Sequence, residues 1–141
     1  MTRDEASALF AERDAIWRRG DTRKLAALHA EDGVIVSPMF GLIRGRDAIE
    51  KSYRGIFKIF ADLTLTTEDI VADGDRVAQF FRSNATHTSE VSGIPATGRQ
   101  FEVHGVLMFD FKNGEIAKER RLYDFTSMLV QLGVLKAKPV K

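Results

Sequence analysis

The sequence predicts an α+β domain in which helices come first and a meander of antiparallel strands follows. Three observations carry that expectation. Apolar residues recur at helical spacing as far as Phe60. From Leu63 onward the period becomes strand-like, and two turn signals, Asp73-Gly74-Asp75 and Asn113-Gly114, join long runs into hairpins. Helices grouped ahead of strands, rather than alternating with them, read as α+β.

The first helix is expected from Asp4 to Arg19, with Ala6, Leu9, Phe10, Arg13, Ile16 and Trp17 on one stripe. Thr2 is placed to cap it, Glu5 completes a capping box, and Gly20 ends it. A second, shorter helix begins at Asp21 and buries Leu25 and Leu28 before Gly33 stops it. Val34-Ile35-Val36 reads as a short strand broken by Pro38, and Gly41 to Gly45 as turn and short extended structure. The third helix starts at Arg46 or Asp47, with Ile49, Tyr53, Ile56, Phe57 and Phe60 forming a wide apolar face. Leu63 to Ala72, Arg76 to Thr86, Phe101 to Phe111 and Ile116 to Asp124 are the four expected sheet strands. A four-stranded sheet covered on one face by three helices tends to form a cone with an internal cavity.

Composition narrows the function. The chain has 141 residues, 44% apolar and 29% charged, which is one ordinary globular domain, read as residues 1–135 with a basic tail, Lys136 to Lys141, that frays. A formal net charge of +1 without a basic stripe argues against nucleic acid as partner. No apolar run is long enough to span a bilayer and the start lacks a signal segment, so no membrane partner and a cytoplasmic location are expected. The absence of cysteine removes thiolate nucleophiles, disulfides and thiolate metal sites. His29, His87 and His104 fall in no ligand motif, and the glycines fit neither nucleotide fingerprint, so no metal and no cofactor are expected. No serine sits in a Gly-x-Ser-x-Gly elbow.

Asp124 is the leading candidate for proton chemistry. It closes an apolar strand and precedes Phe125, Met128 and Leu129, and a carboxyl group in such surroundings becomes a usable acid or base. The competing reading is an N-cap for a helix over Phe125 to Leu132. His104 is either a donor polarising a substrate carbonyl or a histidine satisfied by a neighbouring strand. His87 is either a strand-end residue or a pocket group. Arg82 and Asn84 share a face with Phe80 and could reach into the cone. Trp17, Phe10, Tyr53 and Phe57 are core aromatics first and cavity wall second.

The stretches Thr86-His87-Thr88, Gly93-Ile94-Pro95-Ala96-Thr97-Gly98, Asn113-Gly114-Glu115-Ile116, Asp124 and Gln131-Leu132-Gly133 resemble the SnoaL-like polyketide cyclase family, within the nuclear transport factor two-like superfamily of cone-shaped α+β domains. The resemblance extends over nearly all of the chain. It implies closure of a polyketide ring by intramolecular aldol condensation without metal or cofactor, with the carboxylate at Asp124 as acid and base. It also places Met39 and Phe40 near the pocket mouth, as a lid. The chain departs from the family in carrying Arg120 where an aromatic residue is common. Strand alternation puts Arg120, Leu122 and Asp124 on one face, where Arg120 would hold Asp124 ionised and favour an anionic substrate. The superfamily's outer sheet face commonly forms a homodimer. Val103, Leu107, Phe109 and Phe111, or the alternate register, would supply its apolar patch.

The expected function is therefore a cofactor-independent acid/base enzyme on a small hydrophobic carbonyl compound, with Asp124 and His104 catalytic, performing ring closure, isomerisation or hydration. The alternative is a non-catalytic ligand-binding or dimerisation module. An epoxide-hydrolase-like activity ranks last, because no second aspartate faces Asp124.

Overall fold

The computed structural model describes residues 1–136, and residues 137–141 of the tail expected to fray lie outside the described residues. The elements are α1 (Arg3–Arg19), α2 (Thr22–Ala27), β1 (His29–Ser37), β2 (Gly41–Arg44), α3 (Arg46–Ile59), β3 (Thr64–Asp73), β4 (Arg76–Thr86), β5 (Gln100–Lys112), β6 (Glu115–Tyr123) and α4 (Phe125–Gln131). The four long strands of the meander carry the sheet, but two more join it. The order is β2-β1-β6-β5-β4-β3, a curved and unclosed sheet. β1 runs parallel to β6, whereas every other pairing is antiparallel.

The expected four-stranded sheet is thus six-stranded, for a local reason. The second helix stops at Ala27, well before Gly33, and β1 begins at His29. Gly41–Arg44 then folds back on Val34–Ser37.

α1 is capped as its sequence specifies. The Glu5 amide donates to Thr2 Oγ1 at 3.1 Å, and the Thr2 amide donates to Glu5 Oε2 at 2.7 Å. At the β5–β6 turn, Asn113 and Gly114 both take positive φ (53° and 77°), the pairing that matches the twist of a two-residue hairpin. α1 lies against β3, and α3 against β1 with α2 beside it, so the helices cover the concave face. The core between them is built on Phe10, Leu25, Ile35, Ile49, Phe109 and Ile116, all fully buried. Among the described residues no helix is long and apolar enough to cross a membrane.

Two registers place the candidate site. On β5 the buried residues are Phe101, Val103, Leu107, Phe109 and Phe111, so the patch expected to face a second copy is core. The alternate register, His104, Val106 and Met108, faces outward. On β6 the alternation is broken. Phe111 pairs with Ile116 and Asp110 with Lys118, so Ala117 is an extra residue. Beyond that bulge the inward positions are Glu119, Arg121 and Tyr123, while Arg120 and Leu122 point out.

Candidate ligand pocket and the buried charge cluster beneath it

A cavity of about 90 Å³ opens inside the cone. Its wall is mostly apolar, with Ile56, Phe60, Leu63, Phe81, Phe101 and Leu107 among the lining side chains. Arg13, Arg121, Ser83 and Tyr123 supply the polar atoms, together with the indole of Trp17. Met39 and Phe40 also line it, and Phe40 remains partly exposed, which puts them at the mouth. The two arginines mark the inner end.

Both arginines are held by one carboxylate. Glu119 is fully buried; its Oε1 accepts from Arg13 Nη2 at 3.1 Å and its Oε2 from Arg121 Nε. Arg13 stands on α1 in the middle of the apolar stripe, so the helix drives it into the core as firmly as its neighbours Phe10 and Trp17. There it also donates to Gln79 Oε1 and to the Tyr53 hydroxyl, each at 3.3 Å. Its guanidinium lies 5.7 Å from the Trp17 ring centre and 5.1 Å from that of Phe109, both within cation–π range. Gln79 donates onward to Thr67 Oγ1, whose hydroxyl and amide donate to Asp14. The Tyr53 hydroxyl meets His29 Nε2 at 3.1 Å. Because Tyr53 accepts from Arg13, its own proton is free for Nε2, which puts the ring proton of His29 on Nδ1.

The protonation states follow from burial and neighbours. Burial alone would raise the Glu119 carboxyl, but Arg121, Arg13 and His29 together outweigh it and hold it down at about 2. Burial pushes His29 down to about 4, against the pull of Glu119 and with Arg13 and Arg121 adding to the effect. Burial acts to lower Arg121, yet the Glu119 charge overrides it and raises it. Burial raises both Tyr53 and Tyr123. At neutral pH the cluster therefore holds two guanidinium cations, one carboxylate, a neutral imidazole and neutral phenols.

The residues singled out from sequence divide sharply. Trp17, Met39 and Phe40 line the cavity. Tyr53 sits behind Trp17, ring centres 5.4 Å apart, with its hydroxyl in the cluster. Phe10 is core against Phe109, and Phe57 packs on Trp17 at 5.3 Å without reaching the hollow. His87 is fully buried and holds the following loop, its Nδ1 lying 3.1 Å from Thr97 Oγ1 and accepting from the Thr97 amide.

Five residues expected at the pocket stand elsewhere. Arg82 and Asn84 lie on the outer face of β4, Arg82 beside Glu102 at 3.7 Å. His104 is exposed on the outer face of β5, 3.0 Å from Glu68, because its register position is opposite to that of Val103 and Leu107. Arg120 is turned outward by the bulge and does not meet Asp124. Asp124 itself is exposed and caps α4, its Oδ1 accepting the Ser127 amide at 2.8 Å. It follows Tyr123 and precedes Met128, both lining residues, but is not part of the wall.

Sequence reasoning passed over Arg13, His29, Gln79, Glu119 and Arg121. One signal was present: an arginine at a core position of an amphipathic helix needs a buried anion, and Glu119 is among the strand carboxylates that could supply one. Among the described residues no group of three or more metal-ligating side chains could hold a metal ion.

A helix-covered, curved and unclosed sheet enclosing an apolar hollow and a buried ionic cluster defines a domain of the cone-shaped α+β class. The chain belongs to the SnoaL-like polyketide cyclase family, whose profile matches residues 8–132. It is similar in structure to TsrD from Streptomyces laurentii (TM-score 0.84, 26% identity, 96% of this chain and 99% of that one). AclR from Streptomyces galilaeus, described as a candidate hydroxylase, gives a TM-score of 0.83 at 30% identity, covering 98% and 91%. IdmH from Streptomyces antibioticus, described as a candidate polyketide cyclase, gives 0.76 at 33% identity, covering 91% and 98%. No curated protein matches the chain in sequence. Family and neighbours support a small-molecule cyclase-type role.

Proposed function

We propose that the protein is a cofactor-independent enzyme that takes a small, largely apolar carbonyl compound into the hollow and promotes ring closure or isomerisation through an enolate. The observation that carries this is the pair of guanidinium groups, Arg13 and Arg121, at the inner end of an otherwise apolar wall. Removal of a proton next to a carbonyl leaves negative charge on oxygen. Fixed positive charge in a water-poor site stabilises that charge more strongly than water does. Tyr123 and Ser83 add hydroxyls along the wall. Glu119 does not act as base in this scheme, because both its oxygens are engaged and its carboxyl is held near 2. We assign proton acceptance to Asp124, which lies outside the lining next to Tyr123 and whose Oδ1 takes the Ser127 amide.

The test is turnover of a methyl-ketone-bearing aromatic polyketone by wild type, Arg121→Gln and Asp124→Asn. A rate lowered by on the order of 10²-fold in Arg121→Gln supports the arginine role. Full turnover in Asp124→Asn removes Asp124 from the scheme and leaves the arginines standing.

One observation favours a second reading, a non-catalytic binding module of the same fold. The described wall carries no carboxylate, and Asp124 is occupied as a cap. Ligand binding without turnover of any carbonyl substrate would select it.

Association through the outer sheet face belongs to the same proposal. Phe80, Val106 and Leu122 are register partners on three adjacent strands and form an apolar row, with Leu122 71% exposed. Apolar surface of this kind favours pairing with a second copy. Sedimentation showing monomer alone at micromolar concentration counts against it.

A further inference from the structure

We infer that the group seated at the inner end of the hollow is a carboxylate, so that the ligand is an acid with an apolar body rather than a neutral polyketone. The inference rests on the reading of the hollow as a ligand site.

Three buried N–H groups on lining residues have no hydrogen-bond partner within the described protein: Arg121 Nη2, Arg13 Nε and Trp17 Nε1. The side chains that carry them are 9%, 1% and 4% exposed. All three groups are donors only. The local acceptors are used up. Glu119 gives one oxygen to each arginine, and Tyr53 accepts from Arg13. Asp14, the next carboxylate along the network, spends both oxygens on Thr67 and is separated from Arg13 by Gln79 and Thr67. His29 contributes no charge at neutral pH.

What the inner end lacks is an acceptor carrying a negative charge, with room for several donors. A neutral carbonyl oxygen offers two lone pairs and no charge. A carboxylate offers about four acceptor sites and balances the guanidinium that Glu119 leaves in excess. Two arginines and a tryptophan that line one hollow, each with an unpartnered N–H, match the second description. Beyond them the wall is Phe60, Leu63, Phe101 and Leu107, which suits a single ring or a short alkyl body. On this geometry the arginines anchor the acid.

The experiment compares two probes with the same body, 4-ethylbenzoate and 4-ethylacetophenone, titrated into the full chain at pH 7 by calorimetry and by proton–nitrogen correlation spectra. Trp17 is the only tryptophan, so its indole N–H gives a single peak. The acid is expected to bind at least about tenfold tighter than the ketone, a difference of about 1.4 kcal/mol, and to shift that peak. Arg121→Gln, in which Arg13 still pairs with Glu119, is expected to bring the two probes to within about twofold, and Arg121→Lys to keep most of the preference. If Arg121→Gln does not fold, Trp17→Phe serves, weakening the acid severalfold and the ketone little.

Equal affinities, or a preference for the ketone, overturn the carboxylate and leave the hollow as a ligand site. Acid binding that leaves the indole peak unmoved overturns the placement. Binding of neither probe overturns both this inference and the reading beneath it.

Discussion

Glu119, in the middle of β6, and Asp124, just past its end, lie five residues apart, yet they occupy opposite physical situations. Glu119 is fully buried, shared by two arginines and held ionised far below the usual carboxylate range. Asp124 is exposed, accepts one backbone amide and organises the first turn of α4. Glu119 is coupled to α1, α3 and the sheet at once, through Arg13 and Tyr53; Asp124 is coupled to its own helix. Proximity along the chain therefore says little about which carboxylate supports a pocket and which starts a helix.

Substitution on the buried side should produce the largest effect. Glu119→Gln leaves Arg13 and Arg121 in the interior without a counter-charge, and a loss of about 3–5 kcal/mol in urea unfolding is expected. A loss below about 1 kcal/mol would mean that water reaches the cluster and that the contrast with Asp124 is smaller than the geometry implies.

The pH dependence sharpens the same contrast. His29 titrates at about 4 when folded, against 6.5 for the free side chain, so the unfolded chain binds its proton first. Stability is then fully present above about pH 6.5, falls as pH drops toward 4, and loses on the order of 3 kcal/mol from this group. Glu119, whose pKa falls from 4.5 to about 2, adds a second loss between those values. His29→Gln should remove the upper limb of the profile and leave the lower one, a result read from denaturation midpoints between pH 3 and 8.

A backbone constraint separates the two sides as well. At Gly105 an added Cβ would lie 2.4 Å from the Leu122 carbonyl oxygen and 2.8 Å from Phe81 Cε1 and Tyr123 Cβ. Gly105→Ala is expected to cost about 1–3 kcal/mol and to disturb the pocket wall through Phe81 and Tyr123, both lining residues. Unchanged thermal stability would show that β5 and β6 can separate there without loss.

The smallest effects belong to Asp124. Asp124→Ala removes the cap, worth about 1 kcal/mol, whereas Asp124→Asn retains it to within a few tenths. Thermal melts of the pair isolate the structural role, so that any loss of turnover in the asparagine variant reports proton transfer alone.

Much of this architecture was legible from residue pattern, because the signals are local. The Thr2–Glu5 capping box, the stripe through Phe10 and Trp17, and the Asn113-Gly114 turn each act within a few residues, and each is present as expected. Trp17 reached the hollow for the same reason, through helical spacing, whereas Met39 and Phe40 were placed there by the family resemblance. The failures cluster at β6. Alternation counted from Ile116 puts Lys118, Arg120, Leu122 and Asp124 inward, and one extra residue at Ala117 reverses every position after it. A bulge of one residue has no compositional mark in Ala117, so Arg120 was expected inside where Glu119 and Arg121 stand.

Sequence alone determined the class of fold and the order of its elements, since hydrophobic period and turn chemistry are properties of neighbouring residues, and its motifs carried the resemblance to the family. Only the tertiary structure decided which charges meet. Arg13, Tyr53, Gln79, Glu119 and Arg121 come from four separate segments, and no spacing along the chain encodes their convergence. It arises because each is driven inward with its apolar neighbours, and once there a buried charge is tolerable only beside its opposite.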